Sequence, residues 1–306
     1  MKYNRIVIGL LSLAAVSCSI DEIANPEKEG LTIRTPDVVY ASIEDLSNDV
    51  DTKVFADDQL RVLWNEDDRI TLFNKYTYGY EYYFKGDDGD SGGAFGKVPN
   101  ADVVSGNTLA SVFAVYPHQE KTKINNDGII TFTLPAEQTY APNSFGRGAN
   151  TMVSKTDDVQ LKFKNVGGYL SFRLYGEGIS VSSITLKGNN GEFLAGRCTI
   201  DMSGGLPETV MDSGKATEKI TLVCNPPVEL GTSDTDYIEF WMVVPPTTFS
   251  EGVTFTVKTS DGGVFEKSST ASFTLGRNKK MQVPVMEVIP NYDNAFVPFE
   301  DANFKA

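Results

Sequence analysis

Along most of this chain, apolar residues either alternate with polar ones or run together for a few positions before a turn signal intervenes. The runs are Val38 to Ile43, Leu60 to Trp64, Ile70 to Phe73, Tyr80 to Phe84, Leu109 to Tyr116 and Ile129 to Leu134. A second series follows at Leu161 to Phe163, Tyr169 to Leu174, Val181 to Leu186, Phe193 to Ile200 and Ile220 to Cys224. It continues through Tyr237 to Val244, Val253 to Lys258, Ser272 to Leu275 and Met281 to Val288. Period-two patterning of this kind predicts strands. Between the runs stand Asp127-Gly128, Asn190-Gly191 and Asp261-Gly262-Gly263, residues that tolerate the positive φ of tight hairpins. No long stretch shows the 3.6-residue period of an amphipathic helix. Short strands without helices to cover a parallel sheet point to antiparallel sandwiches, and 306 residues suit two of them. The expected junction is the loop-rich segment from Pro135 to Asp158.

The first residues follow a different pattern. Lys2 and Arg5 precede an apolar stretch from Ile6 to Val16, too short to span a bilayer permanently and ordered like a secretory signal. It ends Ala15-Val16-Ser17-Cys18, which resembles the lipobox read by a lipoprotein signal peptidase. Cys18 is therefore the expected lipidation site and first mature residue, placing the protein at the outer membrane or cell surface. Each buried acyl CH₂ contributes about 0.8 kcal/mol, so several chains anchor stably. Ser19 follows the cysteine, without the aspartate that marks inner-membrane retention. Residues 18–36 hold Pro26, Gly30 and Glu27-Lys28-Glu29 and read as a tether. The expected layout is signal peptide 1–17, tether 18–36, sandwiches at 37–155 and 156–290, and a tail at 291–306.

Composition adds exclusions. The formal net charge of −14 repels polyanions, so nucleic acid is not an expected partner. The one histidine, His118, has no Gly-x-Ser-x-Gly elbow to serve, and no cysteine or histidine spacing supports zinc. Asp87, Asp88 and Asp90 lack the downstream glutamate of a calcium loop and read as a solvated hairpin tip. No cofactor, metal site or catalytic residue is expected. Cys198 and Cys224 remain after Cys18, and export permits either a disulfide or two buried thiols.

Several segments together resemble the fimbrillin family of Bacteroidetes, the type V pilins. They are Val62-Leu63-Trp64, Asp67-Asp68-Arg69-Ile70, Phe113-Ala114-Val115-Tyr116-Pro117, Leu134-Pro135-Ala136-Glu137-Gln138-Thr139-Tyr140, Phe163-Lys164-Asn165-Val166-Gly167-Gly168-Tyr169-Leu170 and Val244-Pro245-Pro246. Trp64 and Phe163 look like core anchors in this pattern. The resemblance implies two tandem transthyretin-like, Greek-key sandwiches and a pilus subunit or accessory that supports adhesion. It further implies assembly with other pilin-like subunits by strand donation after a cut by a trypsin-like protease. Arg34, in Ile33-Arg34-Thr35-Pro36, is the candidate cleavage site or a plain tether arginine. In the tail, Ala295, Val297 and Phe299 alternate as a donated strand does, against Phe296 and Pro298, and a tail folded back on its own domain fits too. The alternative is a monomeric surface lipoprotein that binds a glycan or host protein through loop aromatics, with Tyr76, Tyr78 and Tyr80 as candidate contacts or as sheet-face packing.

Overall fold

A computed structural model describes residues 35–45, 62–99 and 107–292. Cys18, Arg34 and the tail from residue 293 lie outside these. All described elements are strands. The first are β1 (Val38–Ile43), β2 (Arg69–Lys75), β3 (Thr77–Tyr78), β4 (Tyr80–Phe84), β5 (Gly92–Lys97) and β6 (Thr108–Tyr116). Next come β7 (Lys123–Ile124), β8 (Ile130–Leu134), β9 (Glu137–Ala141), β10 (Ser144–Phe145), β11 (Met152–Thr156) and β12 (Gln160–Asn165). Then follow β13 (Gly168–Tyr175), β14 (Ser180–Gly188), β15 (Ala195–Asp201), β16 (Glu208–Thr217), β17 (Lys219–Glu229) and β18 (Ile238–Val244). The last are β19 (Thr247–Phe249), β20 (Val253–Thr259), β21 (Val264–Ser269), β22 (Phe273–Leu275), β23 (Lys280–Gln282) and β24 (Met286–Glu287).

The first sheet closes on itself in the order β1-β12-β11-β6-β2-β4-β5, where an open pair of antiparallel sheets was expected. Closure needs β1, which runs antiparallel to β5 and parallel to β12. Trp64 fills the barrel with no exposed surface. Its ring meets Phe95, Tyr116 and Phe163 edge-on at centroid distances of 4.9, 5.4 and 5.4 Å, the geometry that ring quadrupoles favour. The strand expected from Leu60 to Trp64 is reduced, within the described residues, to a bridge between Trp64 and Asp90.

β2 and β6 bury both faces, which is why their sequences, Arg69–Lys75 and Thr108–Tyr116, run apolar nearly without alternation. Ile70, Leu72, Val112 and Ala114 point into the barrel. Phe73, Phe113 and Val115 point outward onto a second sheet, β16-β15-β8-β7-β3. The third core lies between β10-β9-β17-β14-β20-β21 and β18-β13-β23, with β24 also on β13.

Position 155/156, the expected domain junction, falls inside β11, and strands cross it in both directions. β12 completes the barrel and β15 pairs with β8, while β9 pairs with β17 in the last sandwich. Gln138 of β9 seals that crossing: its amide donates to Val243 O at 2.7 Å and accepts from Val243 N at 2.9 Å, taking the place of a strand along β18. Gly168 lets β13 pass close beneath the turn between β22 and β23, since a Cβ there would lie 2.3 Å from the backbone oxygen of Gly276. Met281 to Val288 forms two short parallel strands on β13 instead of one, because Pro284, between them, has no N–H for a ladder.

Candidate functional site

The site that the fold builds around is the slot held by β1. Its sequence alternates: Val39 and Ala41 are buried, Ile43 packs against the same core, and Tyr40 is 51% exposed. Val39 lies beside Phe95 of β5, and on the other side Ala41 and Ile43 lie beside Leu161 and Phe163 of β12. Tyr40 N donates to Val159 O at 2.8 Å and Glu44 N to Phe163 O at 3.0 Å, while Lys97 N donates to Asp37 O at 2.9 Å. The Tyr82 hydroxyl bonds Pro36 O ahead of the strand. Burial keeps that phenol protonated, well above its ordinary pKa. The large side chains of this core, Trp64, Phe95 and Phe163, all come from outside β1. Two small side chains and one half-buried isoleucine are therefore what β1 itself contributes. Full burial of a valine-sized side chain stabilises by about 1.5–3 kcal/mol, so most of the holding falls to the two backbone ladders.

Beyond Ile43 the slot ends in charge. Glu44 meets Arg277 Nη1, the Asn165 N–H at 2.6 Å and Lys164 Nζ at 3.6 Å. Arg277 Nη1 also donates to Asn165 O at 2.9 Å, and Asn278 Nδ2 donates to Asp45 O at 2.9 Å. Behind this lie Asn165, Asn150 and the Tyr169 hydroxyl, joined by side-chain hydrogen bonds of 2.7–3.1 Å. Asn278 has φ 57°, a left-handed conformation that asparagine tolerates, which turns the chain after Arg277 so that both side chains face the end of β1.

Solved structures similar to this chain include Bacteroidetes adhesion and fimbrial proteins. A candidate cell adhesion protein of Bacteroides ovatus matches 84% of this chain and 96% of its own, with 15% identity and a TM-score of 0.49. Another from Bacteroides uniformis matches 80% and 91%, with 14% identity and a TM-score of 0.42. The C-terminally truncated tip fimbrial protein Mfa3 of Porphyromonas gingivalis matches 83% and 95%, with 10% identity and a TM-score of 0.31. No family model and no curated protein matches the sequence.

The other expected site residues are scattered. Tyr80 is buried in the barrel, Tyr76 packs on the middle core, and Tyr78 is 44% exposed under Lys123 Nζ, so the three share no binding face. Cys198 and Cys224 are unbonded, and the disulfide alternative gives way to two buried thiols. The reason is position: Cys198 sits in the middle core and Cys224 in the last one, on strands of different sheets. Burial pushes both thiols up to about 12, leaving them inert. His118 Nδ1 lies 2.8 Å from the Thr71 hydroxyl, and burial lowers its pKa, more than Glu81 raises it. Asp90 accepts from Asp87 N at 3.0 Å within the acidic tip, and Asp88 accepts from Glu66 N at 2.8 Å, tying the tip to the segment ahead of β2. Among the described residues no cluster of metal ligands occurs.

Sequence reasoning missed the cluster of Glu44, Arg277 and Asn278 at the end of β1. The available signal was the acidic pair at 44–45 directly after an alternating run; nothing in the sequence pointed to its partners.

Proposed function

We propose that this chain is a fimbrillin-like subunit or accessory protein of the cell surface, anchored through lipid on Cys18, that joins other subunits by strand donation and supports adhesion. The observation that carries the reading is β1: a six-residue strand that lends only Val39, Ala41 and a half-buried Ile43 to a barrel whose aromatic filling comes from elsewhere. Its withdrawal opens two ladder edges, on β5 and β12, along an apolar floor of Phe95, Leu161 and Phe163. Such a groove is a hazard unless another extended segment fills it, and filling it is β-augmentation.

The position of β1 also separates the effects of two cuts. Cleavage after Arg34 removes the lipid tether and leaves β1 in the chain. Cleavage after Lys53 or Arg61, between β1 and Val62, detaches β1 itself. Treatment of the mature protein with a trypsin-like protease is the test. The expected result is loss of residues before Val62 by mass spectrometry, followed by boiling-resistant ladders on gels. A product that loses β1 and stays monomeric at high concentration overturns the reading.

A further inference from the structure

The floor of the β1 slot accepts alternating apolar residues, and alternation alone does not fix register. A one-residue slip is forbidden because it turns the apolar set outward, but a two-residue slip keeps every face. What distinguishes the two-residue slip is the end of the slot, where Arg277, Lys164 and the Asn165 N–H converge on the Glu44 carboxylate and Asn278 holds Asp45 O. The order read there is apolar, any, apolar, any, apolar, Glu, Asp. It occurs at Val39, Ala41, Ile43, Glu44 and Asp45, and again at Ala295, Val297, Phe299, Glu300 and Asp301.

We propose that Arg277, with Lys164 and Asn278, is a register lock for whichever strand fills this slot, and that Glu300-Asp301 from a second copy of the chain is its other ligand. This rests on the strand-exchange reading above and adds the residues that fix the register of the incoming segment. The match extends outward, where Phe296 takes the place of the exposed Tyr40. Pro298 takes the place of Ser42; Tyr40 N and Glu44 N both donate to β12, so Pro298 forfeits the one ladder donor between them. The carboxylate lock offsets that loss.

The second copy follows from distance. β13 leads away from the barrel: Tyr169 packs in the barrel core, Phe172 and Leu174 in the last one. At its far end, β24 pairs with Leu174 and Tyr175, and Asn291 is then pinned to Val264, beside the Ser260 to Ser180 bond of the neighbouring turn. β1 runs parallel to β12, which leads directly into β13, so the slot and β13 follow one direction. At about 3.3 Å of rise per residue the pinned end lies roughly 20 Å from the Arg277 end, and the Val39 end of the slot is roughly 16 Å farther back. Three residues from Tyr292 to Ala295 span only about 10 Å. A chain cannot plug its own slot in this register.

The test uses the full chain nicked between Asp45 and Val62, with fluorescein-labelled synthetic peptides of residues 36–45 and 293–303 and polarisation as the readout. Both peptides are expected to bind, and Glu300→Gln in the tail peptide to weaken it about tenfold, the loss of one charge-assisted contact. Arg277→Gln in the protein is expected to shrink that difference to what Lys164 and the Asn165 N–H still hold, while leaving the Gln peptide unaffected. Equal binding of the Glu and Gln peptides, or no binding of the tail peptide, overturns the lock while rebinding of the 36–45 peptide leaves strand exchange intact. Failure of the 36–45 peptide to rebind overturns strand exchange, and the lock with it. The peptide substitution decides the matter even where Arg277→Gln does not fold.

Discussion

Glu239 sits on β18, on the face turned away from the last core, where it accepts from Ser171 Oγ and from Gln282 Nε2 at 3.1 Å and pairs with Lys280 Nζ at 3.0 Å. Lys280 in turn lies 3.8 Å from the Trp241 ring centroid. Burial raises the Glu239 pKa, but the Ser171 and Lys280 contacts outweigh it and leave the group below its ordinary 4.5. Burial pushes Lys280 down, and Glu239 offsets that only in part, so the carboxylate is the partner that gains from the pair. A depressed carboxylate stabilises fully above its unfolded value and loses that contribution as pH falls through its folded one. Urea unfolding of Glu239→Gln is therefore expected to be less stable than wild type near neutrality and to depend less on pH between about 5 and 3. Gln138 makes a separate prediction. Gln138→Leu orphans the N–H and C=O of Val243 in a buried strand edge, at about 1–3 kcal/mol for each group, and chemical denaturation is expected to show a loss of about 2–6 kcal/mol in total. Neither role was legible in the sequence. Trp64 and Phe163 were, because a large apolar side chain on a strand has few places to go. Gln138 meets Val243 across 105 residues and Glu44 meets Arg277 across 233, and no local pattern encodes a polar contact at such range.

At the scale of elements, β1 gives the barrel core only Val39, Ala41 and the half-buried Ile43. Ala41→Lys places an ammonium among apolar side chains at a cost of about 3 kcal/mol, which raises the strand-out population roughly a hundredfold. The expected outcome is faster trypsin cleavage after Lys53 or Arg61, with the remaining chain resistant and its far-ultraviolet dichroism retained. Equal cleavage rates in variant and wild type refute the weak hold on β1. Strands with one buried and one wet face were readable in the sequence, as at Val38–Ile43 and Tyr80–Phe84, where the apolar runs and the strands coincide. β5, β16 and β21 were not. β5 begins with glycines that carry no pattern, and β16 and β21 are exposed or half-exposed along their length, so nothing in Glu208–Thr217 or Val264–Ser269 alternates with burial. β9 and β11 lie in the stretch read as loops because Pro142, Gly146 and Gly148 interrupt it, yet those residues make the turns between strands that cross from one body to the other.

For the whole molecule, the charge of −14 sets the terms on which copies approach. Like-charged bodies repel over the Debye length, about 30 Å at 0.01 M salt and about 8 Å at 0.15 M. Nicked protein is expected to assemble faster as salt rises across that range, followed by light scattering. A rate that falls with salt indicates association driven by attraction between opposite patches and contradicts this account. The ion pairs at the slot end are less affected, because Glu44 and Arg277 keep only 13% and 18% of their side-chain surface exposed. The separation between that slot and Asn291, which pairs with Val264 of β21, has a last consequence. Under the proposed exchange, the tail starts beyond Asn291 while the slot ends at Arg277, so two copies do not satisfy each other reciprocally, and each addition leaves one vacant acceptor and one unused donor behind. Growth of that kind gives a polar thread with two chemically different tips, halted only by a subunit that lacks the tail or the slot.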